Sequence, residues 1–76
     1  MRIPETSESR KLAVAMIRRL AAERAAQGLP VKDIAWRCGA SLKAVYSWER
    51  GDRMPSLPHL IAWAAIFGLK VELLAQ

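Results

Sequence analysis

Four glycines divide this chain of 76 residues into short segments. Glycine adopts left-handed backbone without a Cβ clash, and it is therefore common just past the end of a helix. Apolar residues between the glycines recur at helical spacing, which predicts four helices and an all-α fold. The glycines are Gly28, Gly39, Gly51 and Gly68. The predicted helices cover about residues 9–27, 30–38, 42–50 and 57–67.

The same spacing predicts which helix faces are buried. On the first helix the expected inward residues are Leu12, Ala13, Met16, Ile17, Leu20 and Ala21. On the fourth helix they are Leu57, Leu60, Trp63, Ala64 and Phe67. Ser41 and Ser56 are expected to cap the third and fourth helices. Pro30 is expected to be the first residue of the second helix, because its missing N–H would be unpaired there anyway.

The two ends of the chain carry weaker signals. Residues 1–8 are polar, which predicts a flexible arm before a folded domain of residues 9–68. Residues 69–76 alternate between apolar and charged side chains, which favours a short strand. A short fifth helix is the alternative, because Lys, Glu, Leu and Ala are good helix formers. The apolar side of the strand would consist of Leu69, Val71 and Leu73.

Composition argues against several classes of protein. A single cysteine allows no disulfide framework, and one cysteine with one histidine argues against a transition-metal site. No apolar run approaches the roughly 20 residues of a membrane span, and the N-terminus lacks a secretory leader. The chain has no paired carboxylates, glycine-rich phosphate loop or nucleophile with a base. We therefore expect a cytoplasmic domain that is not an enzyme and has no cofactor, metal or membrane partner.

Positive charge is concentrated in the first two thirds of the chain. Residues 10–53 contain ten Lys or Arg and four Asp or Glu, a net charge of +6, whereas the remaining residues have a net charge of −1. A local excess of this kind is typical of proteins that bind a polyanion. Ordinary solvated helix surfaces explain the charge equally well when it is considered alone.

Residues 31–50 form two short predicted helices joined by a turn that contains Gly39. This is the helix-turn-helix arrangement, in which the second helix enters the major groove of DNA. A small residue is needed where the two helices cross, and Ala35 occupies that position. The apolar residues expected to hold the helices together are Ile34, Cys38, Ala40, Val45 and Trp48.

Over about residues 17–69 the chain resembles the phage-repressor-like, or XRE, family of bacterial and phage regulators. The matching stretches are Arg24, Gly28-Leu29, Asp33-Ile34-Ala35, Gly39-Ala40-Ser41, Val45, Trp48-Glu49-Arg50-Gly51, Pro55-Ser56-Leu57, Leu60 and Phe67-Gly68. The resemblance implies a bundle of four or five helices that binds operator DNA, usually as a dimer. It also implies a salt bridge between Arg24 and Glu49, which would join the first helix to the end of the third.

The resemblance further implies which residues contact DNA. Base contacts are implied on the third helix at Leu42, Lys43 and Ser47, with Tyr46 close by. Phosphate contacts are implied at Arg50 and Arg53. Ser41 begins the third helix, where unpaired N–H groups suit an anion. Lys32 and Arg37 on the second helix would extend the phosphate set.

Three positions on these two helices are unusual. Members of the family usually have Gln where this chain has Val31, so a phosphate clamp is missing. They usually have a polar residue where this chain has Leu42, which leaves contact with a thymine methyl or weak readout as alternatives. Trp36 lies on the expected outer side of the second helix, and its role stays open.

The predicted fourth helix is apolar on all sides, and such a helix is buried by something. Two copies of the tail could pair antiparallel about a two-fold axis through Val71, with Lys70 of one copy opposite Glu72 of the other. We therefore expect a homodimer built from the fourth helix and the tail. The expected interface residues are Ile61, Ala62, Ala65, Ile66, Leu69, Val71 and Leu73.

Two hypotheses about function follow. The first is a sequence-specific transcriptional regulator that binds double-stranded DNA as a homodimer and represses by occupying an operator. An antitoxin, in which the same fold also covers a partner toxin, is a variant of this hypothesis. The second is a protein-interaction module on a helix-turn-helix scaffold. Val31 and Leu42 favour the module, whereas the basic excess opposes it.

Overall fold

The computed structural model describes the backbone of residues 7–71 and the side chains of residues 8–71. The helices are α1 (Ser7–Ala26), α2 (Val31–Cys38), α3 (Leu42–Arg50) and α4 (Leu57–Ile66). Residues 7–71 contain no strand, and the all-α prediction is confirmed. Helix α1 includes the last two residues of the predicted arm, and the rest of that arm lies outside the described residues. None of the four helices combines the length and the apolarity needed to cross a bilayer.

The turn between α2 and α3 depends on left-handed backbone at Gly39, where φ is +67°. The N–H of Ala40 donates to the carbonyl of Ala35 at 2.9 Å and closes the end of α2. Pro30 was predicted to be the first residue of α2 but is its N-cap, with extended backbone (φ −71°, ψ 153°). Helix α2 thus begins one residue later than predicted. The turn thus sets the direction of α3 through backbone geometry.

The hydrophobic core lies where α2, α3 and α4 meet. Ile34, Val45 and Trp63, one from each of these helices, are fully buried. The rings of Trp48 and Trp63 pack with their centroids 5.9 Å apart. The core predicted for the helix-turn-helix pair is therefore present, and α4 packs across it.

The predicted inward stripe of α1 is wrong in its first half. Leu12 and Met16 are 65% and 41% exposed, whereas Ile17 and Leu20 are buried. Leu12 and Met16 are exposed because α1 is much longer than the helices that pack against it. A helix of 20 residues is about 30 Å long, and the other three helices have only 8 to 10 residues each. They cover only part of α1.

The predicted inward face of α4 is also partly wrong, because Leu57 is 61% exposed. Trp63 marks the centre of the buried face, and Leu57 lies roughly 120° around the helix from it. Ala62 and Ile66, which were expected to face a second copy, are half-buried against the core of their own chain.

The segment after α4 does not form the predicted strand where it is described. Residues 69–71 are neither strand nor helix. Leu69 and Val71 pack against the core of their own chain, because the turn at Gly68 directs them back onto it. Leu73 lies outside the described residues.

Substitution of Gly39 tests how far the fold depends on the turn. A Cβ at this position would meet no atom within 4 Å. Gly39→Ala should therefore lower the free energy of unfolding by about 1 kcal/mol through left-handed backbone strain alone. Asn tolerates this backbone better, so Gly39→Asn should lose less. Urea denaturation measures both losses. Equal losses in the two variants, or no loss from Gly39→Ala, would contradict the conclusion that the turn depends on left-handed backbone at residue 39.

Candidate nucleic-acid interface

Helix α3 has one exposed face. Leu42, Lys43, Tyr46 and Arg50 are exposed, and their spacing places them on the same side of the helix. We call these four residues the outer face of α3. The opposite side of the helix is held in the core by Val45 and Trp48. Packing therefore determines the direction in which the outer face points.

Ser47 does not belong to this face, which corrects the expectation that it contacts bases. It is only 8% exposed, because it lies on the flank of α3 that turns toward the protein. Its carbonyl accepts hydrogen bonds from the N–H groups of Asp52 at 2.9 Å and Arg53 at 3.4 Å. Ser47 thus anchors the loop after α3, and the candidate base contacts reduce to Leu42, Lys43 and Tyr46.

Ser41 stands at the start of α3 and is exposed. Its Oγ accepts a hydrogen bond from the N–H of Ala44 at 3.0 Å, which is the predicted N-cap. A serine hydroxyl that accepts one hydrogen bond still has its own proton to donate. Ser41 can therefore stabilise the helix and donate to an anion at the same time.

The loop after α3 carries the two arginines expected at phosphates. The Nε of Arg50 donates to Oδ2 of Asp52 at 2.9 Å, and both side chains are mostly exposed. An exposed pair of this kind contributes little to stability. A phosphate could therefore replace Asp52 as the partner of Arg50 at small cost. Arg53 is exposed in the same loop.

The structure does not bring the cations of α2 together. Lys32 and Arg37 are both exposed, but they lie roughly 140° apart around the helix. Val31 is buried in the core, which explains why an apolar residue occupies the position where the family usually has Gln. Its side chain stabilises the fold and is not available to a phosphate.

Arg24 and Glu49 form a partly buried ion pair between α1 and α3. The guanidinium binds the carboxylate with two hydrogen bonds, Nε to Oε2 at 2.7 Å and Nη2 to Oε1 at 2.9 Å. Its Nη1 also donates to the carbonyl of Leu29 at 2.9 Å. Hydrogen bonding to Glu49 raises the pKa of Arg24 above its usual value, against the opposing effect of burial.

Two residues of α2 have opposite environments. Cys38 is buried in the core, and burial raises the pKa of its thiol, so the reactive thiolate is disfavoured. Trp36 is 84% exposed, although a side chain of this size is usually much more buried. Sequence reasoning left Trp36 open, and its exposure marks it as a surface residue.

Arg18 is a candidate that sequence reasoning missed. It borders a hollow of about 110 Å³ together with Arg50, Gly51 and Met54. Helix α1 therefore brings a cation next to the loop that was expected to contact phosphates. No spacing in the sequence reports this proximity, because it depends on how α1 packs against the end of α3.

The helix-turn-helix geometry agrees with a comparison against known families. The family model HTH_3, described as Helix-turn-helix, matches residues 20–74. The chain belongs to this XRE-type family. Members of the XRE-type family are DNA-binding domains and not enzymes, so membership implies DNA binding and a role in transcriptional regulation. No curated protein and no solved structure matches the chain.

The two ion pairs of this XRE-type domain should differ in their effect on stability. Glu49→Gln should lower the free energy of unfolding by about 1 to 2 kcal/mol, because it removes the charge that compensates a partly buried guanidinium. The control, Asp52→Asn, breaks an exposed pair and should cost less than about 0.5 kcal/mol. Urea denaturation of both variants at one ionic strength tests this. Equal costs would be incompatible with a structural role for the first pair.

Proposed function

We propose that this protein is a sequence-specific transcriptional repressor that acts in the cytoplasm by occupying its operator as a homodimer. The observation that carries the proposal is the outer face of α3. Lys43, Tyr46 and Arg50 are exposed along one side of a helix whose other side is held in the core. A repressor that occupies its operator needs a rigid helix with hydrogen-bond donors on its exposed side. The packing of α3 and the side chains on its outer face meet these two needs.

The residues near the start of α3 have the chemistry for base readout. Lys43 can donate to O6 and N7 of guanine in the major groove. Leu42, beside it, offers an apolar contact to a thymine methyl. Tyr46 lies one turn further along and can donate to a phosphate or pack against a sugar. Lys43 is therefore the residue that we expect to discriminate between bases.

Phosphate contacts would surround this reading face. Ser41 lies at the N-terminal end of α3, and Arg50 and Arg53 lie at the other end. Arg50 would exchange its exposed pair with Asp52 for a phosphate. Lys32 and Arg37 would contribute from α2, on different sides of that helix. Each neutralised phosphate should contribute about −0.9 to the slope of log affinity against log salt concentration.

The homodimer is supported by an apolar stripe on α4. Leu57, Ile61 and Ala65 are exposed and follow one another at intervals of four residues, so they share one side of the helix. We expect this stripe to form the centre of the interface. The interface would also include the atoms that remain exposed on four half-buried residues, which are Ala62, Ile66, Leu69 and Val71. A dimer of this kind binds two half-sites about one helical turn apart.

A selection of bound sequences from a random DNA pool tests base readout. Lys43→Ala should lose the preference at one base step and keep most of the general affinity, because phosphate contacts are intact. Lys32→Ala, the matched control on α2, should weaken binding to all sequences alike and reduce the salt slope by about 0.9. An unchanged preference in Lys43→Ala would refute base readout by this residue.

Sedimentation velocity tests the dimer. The wild-type protein should sediment as a dimer, and Ile61→Glu should sediment as a monomer, because a carboxylate would be buried without a partner in the interface. Trp36→Glu places the same charge at an exposed aromatic residue on another helix and should leave the dimer intact. A monomeric wild-type protein, or a dimeric Ile61→Glu variant, would refute the proposed interface.

A protein-interaction module is the second candidate, and the exposure of Trp36 favours it. Tryptophan is enriched among the residues that dominate protein–protein interfaces. Binding to random duplex DNA at several salt concentrations separates the two functions. A steep loss of affinity with salt supports the repressor, and a flat response supports the module.

A further inference from the structure

The N-terminal half of α1 carries cations but little of the core. Among residues 8–16 no side chain is buried. Arg10, Lys11 and Arg18 border an open hollow of about 710 Å³, whose floor consists of Val14 and Ala15. We call Arg10, Lys11 and Arg18 the α1 basic face. The fold therefore keeps three cations together on a helix segment that it hardly uses for packing.

The α1 basic face adjoins the loop that follows α3. Arg18 and Arg50 border the same hollow of about 110 Å³. Arg10 borders a separate hollow of about 300 Å³ together with Met54, which lies in this loop. The cationic surface that begins at Lys43 on α3 thus continues through Arg50 onto α1.

Two acidic side chains at the junction of α1 with the loop after α3 have arginine partners. Glu49, which also borders the hollow beside Arg18, binds Arg24. Asp52 binds Arg50. Glu23, on α1 itself, lies roughly 140° around the helix from Arg18. The acids that α3 and the following loop bring to this junction, Glu49 and Asp52, are therefore engaged by arginines other than Arg18.

We propose that the α1 basic face is a second phosphate-binding surface, which contacts the DNA backbone outside the base pairs that α3 reads. This inference rests on the DNA binding proposed above. Arg18 would form charge-assisted hydrogen bonds with a flanking phosphate. Lys11 lies seven residues away, about 10 Å along the helix, whereas successive phosphates on one strand advance about 3.4 Å along the duplex. The two cations therefore serve different phosphates.

Charge complementarity and continuity identify duplex DNA as the occupant of this surface. The apolar floor is limited to Val14 and Ala15, which is too little for the anchoring contacts of a protein partner. Arg18 borders the same hollow as Arg50, so a duplex that contacts Arg50 would extend toward Arg18. The predicted consequence is a longer footprint on DNA than α3 alone would give.

Arg19 provides a matched control for Arg18. The two residues are adjacent, chemically identical and exposed, but they project from different sides of α1. Arg19 borders a hollow on the side of α4, together with Leu60 and Lys70. The variants Arg18→Gln and Arg19→Gln therefore remove the same charge from the same helix, and only the first removes it from the α1 basic face.

The experiment measures the affinity of the full chain for two duplexes over a range of salt concentrations. Both contain the sequence selected from the random pool, and one extends it by about ten base pairs at each end. On the longer duplex Arg18→Gln should reduce the salt slope by about 0.9, the amount expected for one phosphate. Lys11→Gln should reduce it by a similar amount. On the shorter duplex, neither Arg18→Gln nor Lys11→Gln should change the salt slope. Arg19→Gln should leave the salt slope unchanged on both duplexes.

Urea denaturation first establishes that each variant is folded. Equal slope changes for Arg18→Gln and Arg19→Gln would overturn the inference, because they would reflect net charge alone. Equal changes on both duplexes would also overturn it, because the contact would then lie inside the site read by α3. If the wild-type protein binds with a steep salt slope that Arg18→Gln leaves unchanged, only this inference fails. If the wild-type slope is flat, the proposed function fails with it.

Discussion

Ile34, Val45 and Trp63 are buried together in one core, and this packing holds the three short helices in place. Each residue comes from a different helix, and these helices have only 8 to 10 residues. Isolated helices of this length are not stable in water. The packing that stabilises α3 therefore also determines its orientation. An outer face with a defined direction is a consequence of making such short helices stable.

The ion pair between Arg24 and Glu49 places α1 against the same core from the side. Its two hydrogen bonds join α1 to the end of α3, and the third donor of Arg24 holds the carbonyl of Leu29 in the turn before α2. Because α1 is twice as long as the other helices, this attachment leaves its N-terminal half uncovered. The attachment of α1 to the end of α3 also places Arg18 beside the loop that follows α3.

Charges around the candidate interface are arranged asymmetrically. Glu49 and Asp52 are each engaged by an arginine, one partly buried and one exposed. Lys43, Arg53 and Arg18 remain exposed on the surrounding surface. A surface of this kind attracts a polyanion from a distance, and the attraction weakens as salt screens it. The fold thus engages Glu49 in a partly buried structural pair and leaves Lys43, Arg53 and Arg18 exposed.

Local signals made most of the secondary structure predictable. Gly39 and Gly51 end helices where they were expected to, and Ser41 and Ser56 cap the next ones, because turns and caps depend on a few neighbouring residues. The family resemblance implied a base contact at Ser47, which is buried, and periodicity placed Leu12 and Leu57 on inward faces, although both are exposed. Spacing gives the angle between side chains on one helix, but it does not give the width of the surface that packs against them.

The all-α fold, the helix-turn-helix and the position of Lys43 on its second helix were predictable, because they follow from short-range backbone preferences and helical spacing. Packing between the helices determines three further features: Leu12 and Leu57 are exposed, Leu69 and Val71 pack on their own chain, and Arg18 lies beside Arg50. Leu12 is exposed because α1 extends past the shorter helices, and the other features depend on the directions in which helices and turns meet. These overlaps and directions are determined by packing between residues remote in sequence, and no local pattern encodes them.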